Sequence, residues 1–414
     1  MKKIQIKNLT EGPVKIGGFV DTIRNQSKMA FIVVRDLTGK VQVTVNKEKL
    51  PEIAKIIDTL TPESVIEVEG QCVLTTFVKL GGKEIIPGAI FVHSIAQTVP
   101  ISEESSIDKR FDYRWLDLRS EKNTLMIKVQ SRIAQLFREF LAKEGFLEIH
   151  SPKTIAAASE SGSEVFEIKY YNRRAYLAQS PQFYKQMAIA AGLEKVYEVG
   201  PVFRAENSHT NRHMTEFTSL DLEMAFIKSY EELMSLEENL LVYIFGKIKE
   251  ELGEEIKRVF DTTIVVPTIP FPRIKVGTLN PIGDMTTDNE RQSFKIAKEK
   301  YNSDFIFVTD FDKKHRGFYH MRENDVPQGA DLIYKGVEIT TCAQREHRYE
   351  ILKKQAEEKG LKKDVEFYLE FFKYGCPPHG GMGIGLERIT WLMLDMANIK
   401  EAAFIARDPD RITP

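Results

Sequence analysis

Cysteine is scarce in this chain of 414 residues, which contains three. Cys72, Cys342 and Cys376 are widely spaced and form no Cys-x-x-Cys pair, so the sequence indicates neither a zinc site nor a disulfide framework. Long apolar runs are also missing: none approaches the roughly 20 residues that cross a bilayer, and the N-terminal segment MKKIQIKNLTEG has no apolar signal core. We therefore expect no membrane contact and a location in the reducing cytoplasm.

An excess of charge of either sign is absent as well, because 58 basic and 60 acidic residues leave a formal net charge of -2. Any contact with nucleic acid must come from local patches, which the overall charge neither reveals nor excludes. What is present is typical of a globular protein, with 42% hydrophobic and 29% charged residues. A chain of this length and composition predicts two or three domains with large cores.

One stretch carries an unusual mixture of residues: two β-type runs, Val196–Phe203 and Phe217–Phe226, flank a polar loop. This pattern predicts a long antiparallel hairpin. Arg204 ends the first strand, and Asp221 and Glu223 share one face of the second, because strand side chains alternate. A strand arginine aimed into a cleft suits a phosphate or a carboxylate, since its planar fork donates two parallel hydrogen bonds. The alternative is a hairpin with a merely solvated polar face.

A glycine-rich turn near the C-terminus favours the first interpretation. The segment GGMGIGLERITWLML, at positions 380–394, predicts close-packed glycines that run into an amphipathic helix with Arg388 in its first turns. Glycine lets a backbone approach a ligand closely, and a helix N-terminus beside an arginine favours polyphosphate. The turn is a weak signal alone, but together with the charged hairpin it predicts a nucleotide site.

These two segments resemble a known family. The run FRAEN…RHMTEFTSLDLEM is similar to motif 2 of the class II aminoacyl-tRNA synthetases, and GIGLER is similar to motif 3. The similarity runs essentially end to end, and within the class it points to the aspartyl-tRNA synthetase group in its compact archaeal-type form. It implies an α+β multidomain protein: an N-terminal five-stranded OB-fold β-barrel, then a catalytic antiparallel β-sheet of six to seven strands flanked by helices. It also implies ATP as a substrate and a homodimer.

The resemblance and the sequence patterns together predict three regions. Residues 1–99 contain five short strand patterns and one helical pattern, which suits an OB-type anticodon-binding barrel. Residues 100–122 begin with a polar stretch that predicts a hinge. Residues 123–414 form the expected catalytic domain, in which a helix from about Asn123 to Glu144 resembles part of motif 1, the dimer interface of the class. The stretch from Tyr230 to Lys257 predicts a pair of packed surface helices.

In the barrel, Phe31 and Gln42 match the family's anticodon residues, an aromatic ring on which a base stacks and an amide that reads the central uridine. Arg24 and Lys28 are expected nearby. Taken alone, Phe31 is more typical of a core position, but its place before VVRD, together with VQV, favours the exposed platform. The loop around residues 79–87 is expected to contact the first anticodon base.

The resemblance also implies roles at the amino-acid end of the pocket. A free amino acid needs acceptors for its ammonium group and cations for its carboxylates. Lys185 matches the lysine that binds the side-chain carboxylate of aspartate, where asparaginyl enzymes typically carry an acidic residue, and Arg345 matches the arginine that clamps the same carboxylate. The residues expected to position the α-ammonium group are Glu160, Ser180, Gln182 and Asp221, and Thr341 is expected beside the amino acid.

ATP is expected at the other end in a bent form. Arg204 matches the arginine at the α-phosphate and Arg388 the one at the γ-phosphate, and these two are the expected catalytic residues because no covalent nucleophile is needed. Magnesium prefers hard oxygen ligands bridged through phosphates. The residues expected to hold Mg²⁺ are Asp331, Glu338 and Thr341. Further expected ATP contacts are Glu206 and Phe217 at the adenine, Arg212 and His213 in the motif 2 loop, Glu338 and Gly385.

Two places depart from the family. Gly317 stands where proline is usual in a mobile loop, which should leave the loop less constrained. Thr341 and Cys342 stand where a small serine-glycine pair is usual, and their added volume beside the amino acid is expected to alter selectivity. Three functions stay open: charging the aspartate tRNA alone, charging both the aspartate and asparagine tRNAs, or acting as a paralogue. The paralogue would be an asparaginyl-tRNA synthetase, an amino-acid amide ligase or a regulatory binding module, and the presence of the anticodon residues beside a complete ATP set disfavours it.

Overall fold

The computed structural model describes residues 1–156, 164–361 and 365–414. Within these residues the contacts divide the chain into two compact units, Met1–Asp117 and Leu118–Pro414. The boundary between the units falls inside the segment predicted as a hinge, residues 100–122. None of the helices in the described segments combines the length and the apolar character needed to cross a bilayer.

The first unit is built around a closed five-stranded barrel. Its strands are β1 (Gly12–Asn25), β2 (Met29–Asp36), β3 (Gly39–Asn46), β4 (Val65–Leu74) and β5 (Lys83–Ser94), with helix α1 (Pro51–Ile57) between β3 and β4 in the chain. The strand order is β1-β2-β3-β5-β4. Aliphatic side chains at alternate positions, among them Ile16, Ile32 and Val43, fill the barrel without solvent exposure. The predicted five-stranded barrel is confirmed.

Short helical segments lie at both ends of the first unit, and longer helices belong to the second unit. A 3₁₀ turn (Ile6–Asn8) opens the first unit, and α2 (Ile107–Asp112) and α3 (Arg114–Asp117) close it. The helices of the second unit are α4 (Glu121–Lys143), α5 (Gln182–Ala190), α6 (Glu231–Phe260), α7 (Val276–Leu279), α8 (Thr287–Tyr301), α9 (Tyr349–Glu358), α10 (Glu366–Glu370) and α11 (Leu386–Met393), with 3₁₀ turns at Lys313–His315 and Ile399–Ala402.

The strands of the second unit are β6 (Leu147–Glu148), β7 (Thr154–Ile155), β8 (Glu167–Tyr170), β9 (Arg173–Leu177), β10 (Lys195–Phe203), β11 (Glu216–Ala225), β12 (Arg273–Lys275), β13 (Phe305–Thr309), β14 (Arg322–Glu323), β15 (Val326–Pro327), β16 (Gly329–Tyr334), β17 (Val337–Arg345) and β18 (His379–Gly385). The main sheet has the order β12-β13-β16-β17-β18-β11-β10-β6. The predicted antiparallel sheet is confirmed from β13 to β10, and the edge strands β12 and β6 each pair in parallel.

The sheet is buried on one face by long helices. Side chains of α4, α6 and α11 form one hydrophobic core with alternate residues of the central strands. The predicted hairpin is confirmed as β10 and β11, paired from Lys195 with Met224 to Phe203 with Glu216. The predicted pair of helices over residues 230–257 is wrong: α6 is one helix of 30 residues. Its apolar stripe continues past Gly246 and Gly253, so packing against the sheet outweighs the weak helix propensity of glycine.

Candidate active site

The residues predicted for the pocket gather in one cavity on the sheet face opposite the helical core. Those that line it are Ser180, Gln182, Lys185, Arg204, Glu206, Arg212, His213, Phe217, Asp221, Glu338, Thr341, Arg345, Gly385 and Arg388. Asp331 lies behind the cavity wall, bonded to Thr341. Glu160 lies outside the described residues, and Phe31 and Gln42 belong to the barrel.

Strand alternation directs the acidic side chains of β11 into this face. Asp221 and Glu223 lie on the cavity side, while the leucines on either side of Asp221 belong to the core. On the next strand, Gly381 pairs with Glu223 and Gly383 pairs with Asp221. A Cβ on Gly381 would collide with the Glu223 carboxylate, and one on Gly383 would lie 2.9 Å from an Asp221 oxygen. These two glycines therefore make room for buried carboxylates, and Gly383 also lines the cavity.

A β-bulge in β17 turns Glu338 toward the cavity. Thr340 pairs with one residue of β16 and Glu338 with the next, so the pairing skips Ile339. Two residues of β17 therefore oppose one of β16, which reverses the alternation at that point. Glu338 consequently shares a face with Thr341, and its Oε1 lies 3.1 Å from the Thr341 hydroxyl.

The two predicted carboxylate-binding cations meet on a single acidic side chain, Glu223. Lys185 Nζ lies 3.3 Å from Glu223 Oε2 and donates to Asp221 Oδ1 at 3.0 Å. Arg345 Nε donates to Glu223 Oε1 at 2.9 Å, and its Nη2 donates to the Gly381 carbonyl at 3.0 Å. All four charged side chains are buried. The floor of the cavity is therefore a fixed, internally paired set of charges.

Glu223 is the residue that holds this set together, although the sequence predicted only its place on the charged face of the strand. Burial alone would raise the pKa of Glu223, but Arg345 and Lys185 outweigh burial and hold that pKa below its usual range. Glu223 therefore stays ionised and fixes both cations. Its position two residues after Asp221 was a signal that it shares the pocket face, but its partners come from α5 and β17.

Arg204 and Phe217 form the opposite end of the cavity. The Arg204 guanidinium lies 5.4 Å from the centroid of the Phe217 ring, and its Nη1 is 3.8 Å from Glu206 Oε1. Its Nε is buried and has no hydrogen-bond partner among the described residues. A buried donor without a partner costs about 1–3 kcal/mol, so an acceptor from a ligand fits at this atom.

Further cations surround the same end. Arg388 Nη1 donates to the Glu338 carbonyl at 2.6 Å. Arg212 forms an ion pair with Glu290 of α8, and Glu290 also accepts a hydrogen bond from the Glu338 backbone N–H at 3.1 Å. Burial lowers the pKa of His213; Glu206 opposes this shift, and the neighbouring Arg388 and Arg212 add to it. No role for Glu290 could be predicted from the sequence, because only the docking of α8 brings it beside Arg212.

Oxygen-bearing side chains meet where magnesium is predicted. The Thr341 hydroxyl donates to Asp331 Oδ1 at 2.8 Å and lies beside Glu338. Arg316, which follows a 3₁₀ turn after β13, donates to Asp331 Oδ2 at 2.6 Å. Burial raises the pKa of Asp331 to about 6, with Glu338 adding to the rise and Arg316 opposing it. Two carboxylates this close together favour an added cation.

The donor set fits magnesium. In the described ranges, no three Asp, Glu, His or Cys side chains gather as a self-contained metal site. Magnesium usually takes one or two carboxylates and completes its shell with water and substrate phosphates, and these residues offer only hard oxygen donors. Glu338 and Thr341 lie on the cavity wall, where such phosphates would reach them. Asp331 is shared with Arg316, a contact that depends on how the loop folds back and that the sequence did not reveal.

Thr341 and Cys342, which together replace the family's usual serine-glycine pair, lie on opposite faces of the sheet. Thr341 lines the cavity, whereas Cys342 is fully buried in the helical core on the other sheet face. The expectation that both add volume beside the amino acid is therefore wrong for Cys342, because neighbouring strand residues alternate. A Cβ on Gly317 would lie 2.7 Å from the Tyr319 ring. Proline at this position would need a different loop conformation.

Within the barrel, Phe31 and Gln42 share one outer face. Phe31 pairs with Thr44 across β2 and β3, and Gln42 lies two residues before Thr44. Gln42 Nε2 donates to the Thr44 hydroxyl at 3.0 Å, and that hydroxyl donates to Glu84. The Arg24 guanidinium lies 5.4 Å from the centroid of the half-buried Phe31 ring. The face thus combines an aromatic ring, a cation and fixed amide and carboxylate groups.

A buried glutamate on α6 lies behind the active-site sheet. Glu237 is fully buried beside the Thr340 hydroxyl of β17, and among the described residues neither side chain forms a hydrogen bond of good geometry. Burial raises the pKa of Glu237 to about 8; the Thr340 hydroxyl opposes the rise, and the nearby Glu238 and Asp331 add to it. Glu237 is therefore mostly protonated at neutral pH.

We expect Glu237→Gln to remove a pH dependence of stability. A carboxyl whose pKa is higher folded than unfolded binds more protons in the native state, so its contribution to stability is lost as pH rises from about 4.5 to about 8. Near pH 5 the variant and the wild type should unfold at similar denaturant concentrations. At pH 9 the variant should be more stable by on the order of 4 kcal/mol. Glu250 is an exposed glutamate on the same helix, so the stability of Glu250→Gln should change with pH as that of the wild type does. If the stability of Glu237→Gln also changed with pH in parallel with the wild type, the raised pKa of Glu237 would be contradicted.

Comparison with known proteins shows which families the two parts of the chain match. Residues 106–409 match the family model of tRNA synthetases class II (D, K and N), and residues 14–92 match an OB-fold nucleic acid binding domain. The chain is 42% identical to the aspartate--tRNA(Asp) ligase of Pyrococcus abyssi, over 97% of this chain and 96% of that one. It is also 42% identical to the aspartate--tRNA(Asp/Asn) ligase of Methanopyrus kandleri, with the same coverage.

A solved structure extends the likeness to three dimensions. The asparaginyl-tRNA synthetase of Pyrococcus horikoshii complexed with asparaginyl-adenylate superposes with a TM-score of 0.91 at 32% identity, and all of both chains is covered. The motif 2 hairpin, the glycine-rich turn before α11 and the barrel are thus parts of one shared architecture. The chain belongs to the class II tRNA synthetases of the D, K and N group.

Proposed function

We propose that this chain is an aspartate--tRNA ligase, which activates L-aspartate with ATP and transfers it to the 3′ end of aspartate tRNA. The observation that carries the proposal is the pair of buried cations, Lys185 and Arg345, held side by side on Glu223. A carboxylate side chain can accept from both cations, whereas an amide has a single acceptor oxygen to offer them. The paired floor therefore suits aspartate better than asparagine.

The reaction follows from the two ends of the cavity. The α-carboxylate of aspartate attacks the α-phosphorus of ATP, pyrophosphate leaves, and the terminal ribose hydroxyl of tRNA then attacks the aspartyl-adenylate and releases AMP. Gln182, Ser180 and Asp221 hold the α-ammonium group at the floor, and Phe217 and Glu206 hold the adenine. Arg204 stabilises the charge that develops on the α-phosphate, and further groups that bind the remaining phosphates are Arg388, Arg212 and His213.

Magnesium is the proposed cofactor, held by Glu338 and Thr341 with Asp331 behind them. When bound, it neutralises charge on the phosphates and on the leaving pyrophosphate. The chain's own part is to keep the two carboxylates on one face through the bulge in β17. Glu160, from the segment outside the described residues, is proposed as a further contact to the α-ammonium group.

The remaining assignments follow the same proposal. Residues 1–99 serve as the anticodon-binding domain, 100–122 as a linker and 123–414 as the catalytic domain. The enzyme works in the cytoplasm as a homodimer, with α4 and the strand after it at the interface. Its tRNA substrates include aspartate tRNA and, if the barrel does not discriminate, asparagine tRNA.

The test is aminoacylation by the purified protein, with labelled aspartate and labelled asparagine offered separately to aspartate and asparagine tRNA transcripts. Aspartate attached to aspartate tRNA alone is the expected result for a discriminating enzyme. Aspartate attached to both tRNAs would make it the first enzyme of an indirect route to asparaginyl-tRNA. Attachment of asparagine but not aspartate would overturn the proposal in favour of an asparaginyl-tRNA synthetase, and activation without transfer would favour an amide ligase.

Phe31→Ala is expected to weaken the binding of tRNA without changing the rate of aspartyl-adenylate formation. Loss of one stacked base costs about 1–3 kcal/mol, so the KM for tRNA should rise about tenfold or more. ATP–pyrophosphate exchange with aspartate, which needs no tRNA, should be unchanged. Phe91→Ala is the matched control, because Phe91 is also a partly exposed barrel phenylalanine under a cation, Lys15, but lies on β5. An equal rise in both variants would remove Phe31 from the anticodon site.

A further inference from the structure

A chain of buried amide, imidazole and phenol groups lies behind Gln182. Gln182 Nε2 donates to Gln186 Oε1 at 2.8 Å, and the Tyr368 hydroxyl donates to the same oxygen at 2.9 Å. Gln186 Nε2 lies 2.9 Å from His379 Nε2, and His379 Nδ1 lies 2.8 Å from the Pro377 carbonyl oxygen. All four side chains are buried, and of the four Gln182 lines the cavity.

The direction of every bond in this chain follows from its last acceptor. The Pro377 carbonyl can only accept, so His379 Nδ1 must carry a proton. Burial lowers the pKa of His379 to about 4, which leaves the ring with this one proton. His379 Nε2 is then an acceptor, and it must face the NH₂ group of Gln186. The Gln186 oxygen is therefore the end that faces Gln182 and Tyr368.

The same logic fixes the amide of Gln182. Because its NH₂ group donates to Gln186 Oε1, its carbonyl oxygen is the end left to meet a ligand in the cavity. An ammonium group is a donor with no acceptor capacity, so it binds an amide oxygen and is repelled by an amide NH₂. A flipped Gln182 would present the wrong end to the amino acid.

We propose that Gln186, held by His379 and Tyr368, is a positioning residue that orients Gln182 so that its carbonyl oxygen receives the α-ammonium group of the amino acid. The proposal rests on the proposed function for the presence of an amino acid, and it is independent of whether the side chain is a carboxylate or an amide. Gln186 itself does not touch the substrate. Its effect is confined to ligands that carry an α-ammonium group.

The test compares aspartate with succinate, which has both carboxylates and no ammonium group. Binding of each to the intact protein is measured by calorimetry for the wild type, Gln186→Met and Gln186→Glu. Gln186→Met removes the acceptor that holds Gln182, so the Kd of aspartate should rise about tenfold or more while the Kd of succinate stays within about twofold. In Gln186→Glu one carboxyl oxygen still accepts from Gln182 and Tyr368, while the other faces His379 Nε2 and holds one added proton between them. Aspartate should then bind within about threefold of the wild type.

A double variant separates positioning from packing. If Gln186 acts through Gln182, the effect of Gln186→Met on aspartate should vanish when Gln182 is already methionine. Equal weakening of aspartate and succinate in Gln186→Met would show a merely structural role and overturn the proposal. So would weakening in Gln186→Glu as large as in Gln182→Met, an outcome that can be read even if Gln186→Met does not fold.

Failure of the proposed aspartate--tRNA ligase function would give a result distinguishable from failure of the role proposed for Gln186. Wild-type ATP–pyrophosphate exchange with aspartate tests the function directly, before any variant is made. If exchange occurred with asparagine instead, the binding comparison would use asparagine and succinamate, its counterpart without the ammonium group. The same contrast between the two ligands is then expected in Gln186→Met.

Discussion

Arg204→Ala is expected to lower the rate of aspartyl-adenylate formation about a thousandfold, measured by ATP–pyrophosphate exchange. The guanidinium lies over the Phe217 ring with its buried Nε lacking a partner in the described structure, which is the arrangement of a donor kept for a ligand. Removing one such preorganised donor from a transition state typically costs a factor of 10² to 10³, and a charged donor lies at the upper end.

The fold of Arg204→Ala should be intact, because among the described residues the charged end of the side chain meets only Glu206, at a loose 3.8 Å, and one face of the Phe217 ring. Its melting temperature should stay within a few degrees of the wild type. Arg291→Ala is the control, since Arg291 is an exposed arginine whose side chain forms an ion pair with its helix neighbour Asp288 at 3.5 Å and does not line the cavity. Normal exchange in Arg204→Ala would refute the role given to Arg204.

Arg345→Lys is expected to lower kcat/KM for aspartate about a hundredfold while leaving the KM for ATP within about threefold. Arg345 donates from Nε to Glu223 and from Nη2 to the Gly381 carbonyl. Only a guanidinium group has further N–H donors in the same plane, and these are needed to bind a substrate carboxylate as well. Lysine keeps the charge but offers one compact ammonium group. The loss of one or two charge-assisted hydrogen bonds, at about 1.5–3 kcal/mol each, accounts for the factor.

Arg348→Lys provides the matched control for this substitution. Arg348 also forms a two-pronged ion pair, with Glu346 at 2.8 and 2.7 Å, but its side chain is half exposed and away from the cavity wall. Its activity should stay within about twofold of the wild type, because lysine keeps a cation beside the buried Glu346 and position 348 does not line the cavity. Similar losses in both variants would mean that Arg345 acts through folding and not through the amino acid.

The sequence predicted those parts of the fold whose signals are local. Alternation over residues 196–226 was enough for the hairpin, and the side chains of Arg204 and Asp221 follow from their places in it. The helical region after residue 230 was divided wrongly, because its two glycines suggest a break that packing on the sheet overrides. Contacts between side chains from distant segments of the chain could not be predicted from the sequence.

Glu223, Glu290 and Arg316 illustrate this limit. Each is an ordinary charged residue in its own segment, and each acquires its place in the site from a partner at least 15 residues away: Arg345, Arg212 and Asp331. The glycines of β18 were noticed, but the reason for two of them was not. They accommodate carboxylates on the adjacent strand, a fact that depends on the register between β11 and β18.

The bulge in β17 has a consequence for how this strand can change. Glu338 is separated from both Thr341 and Arg345 by an odd number of positions, and a regular strand would send residues at odd spacing to opposite faces. Ile339 is the extra residue that corrects the parity. If Ile339 were deleted, Glu338 would stand two positions from Thr341, and a regular ladder would still hold both side chains on the cavity face. A strand of unchanged length that lost the bulge would instead turn Glu338 toward the helical core. The direction of this carboxylate therefore tolerates the loss of one isoleucine but does not tolerate a one-residue slip of the strand.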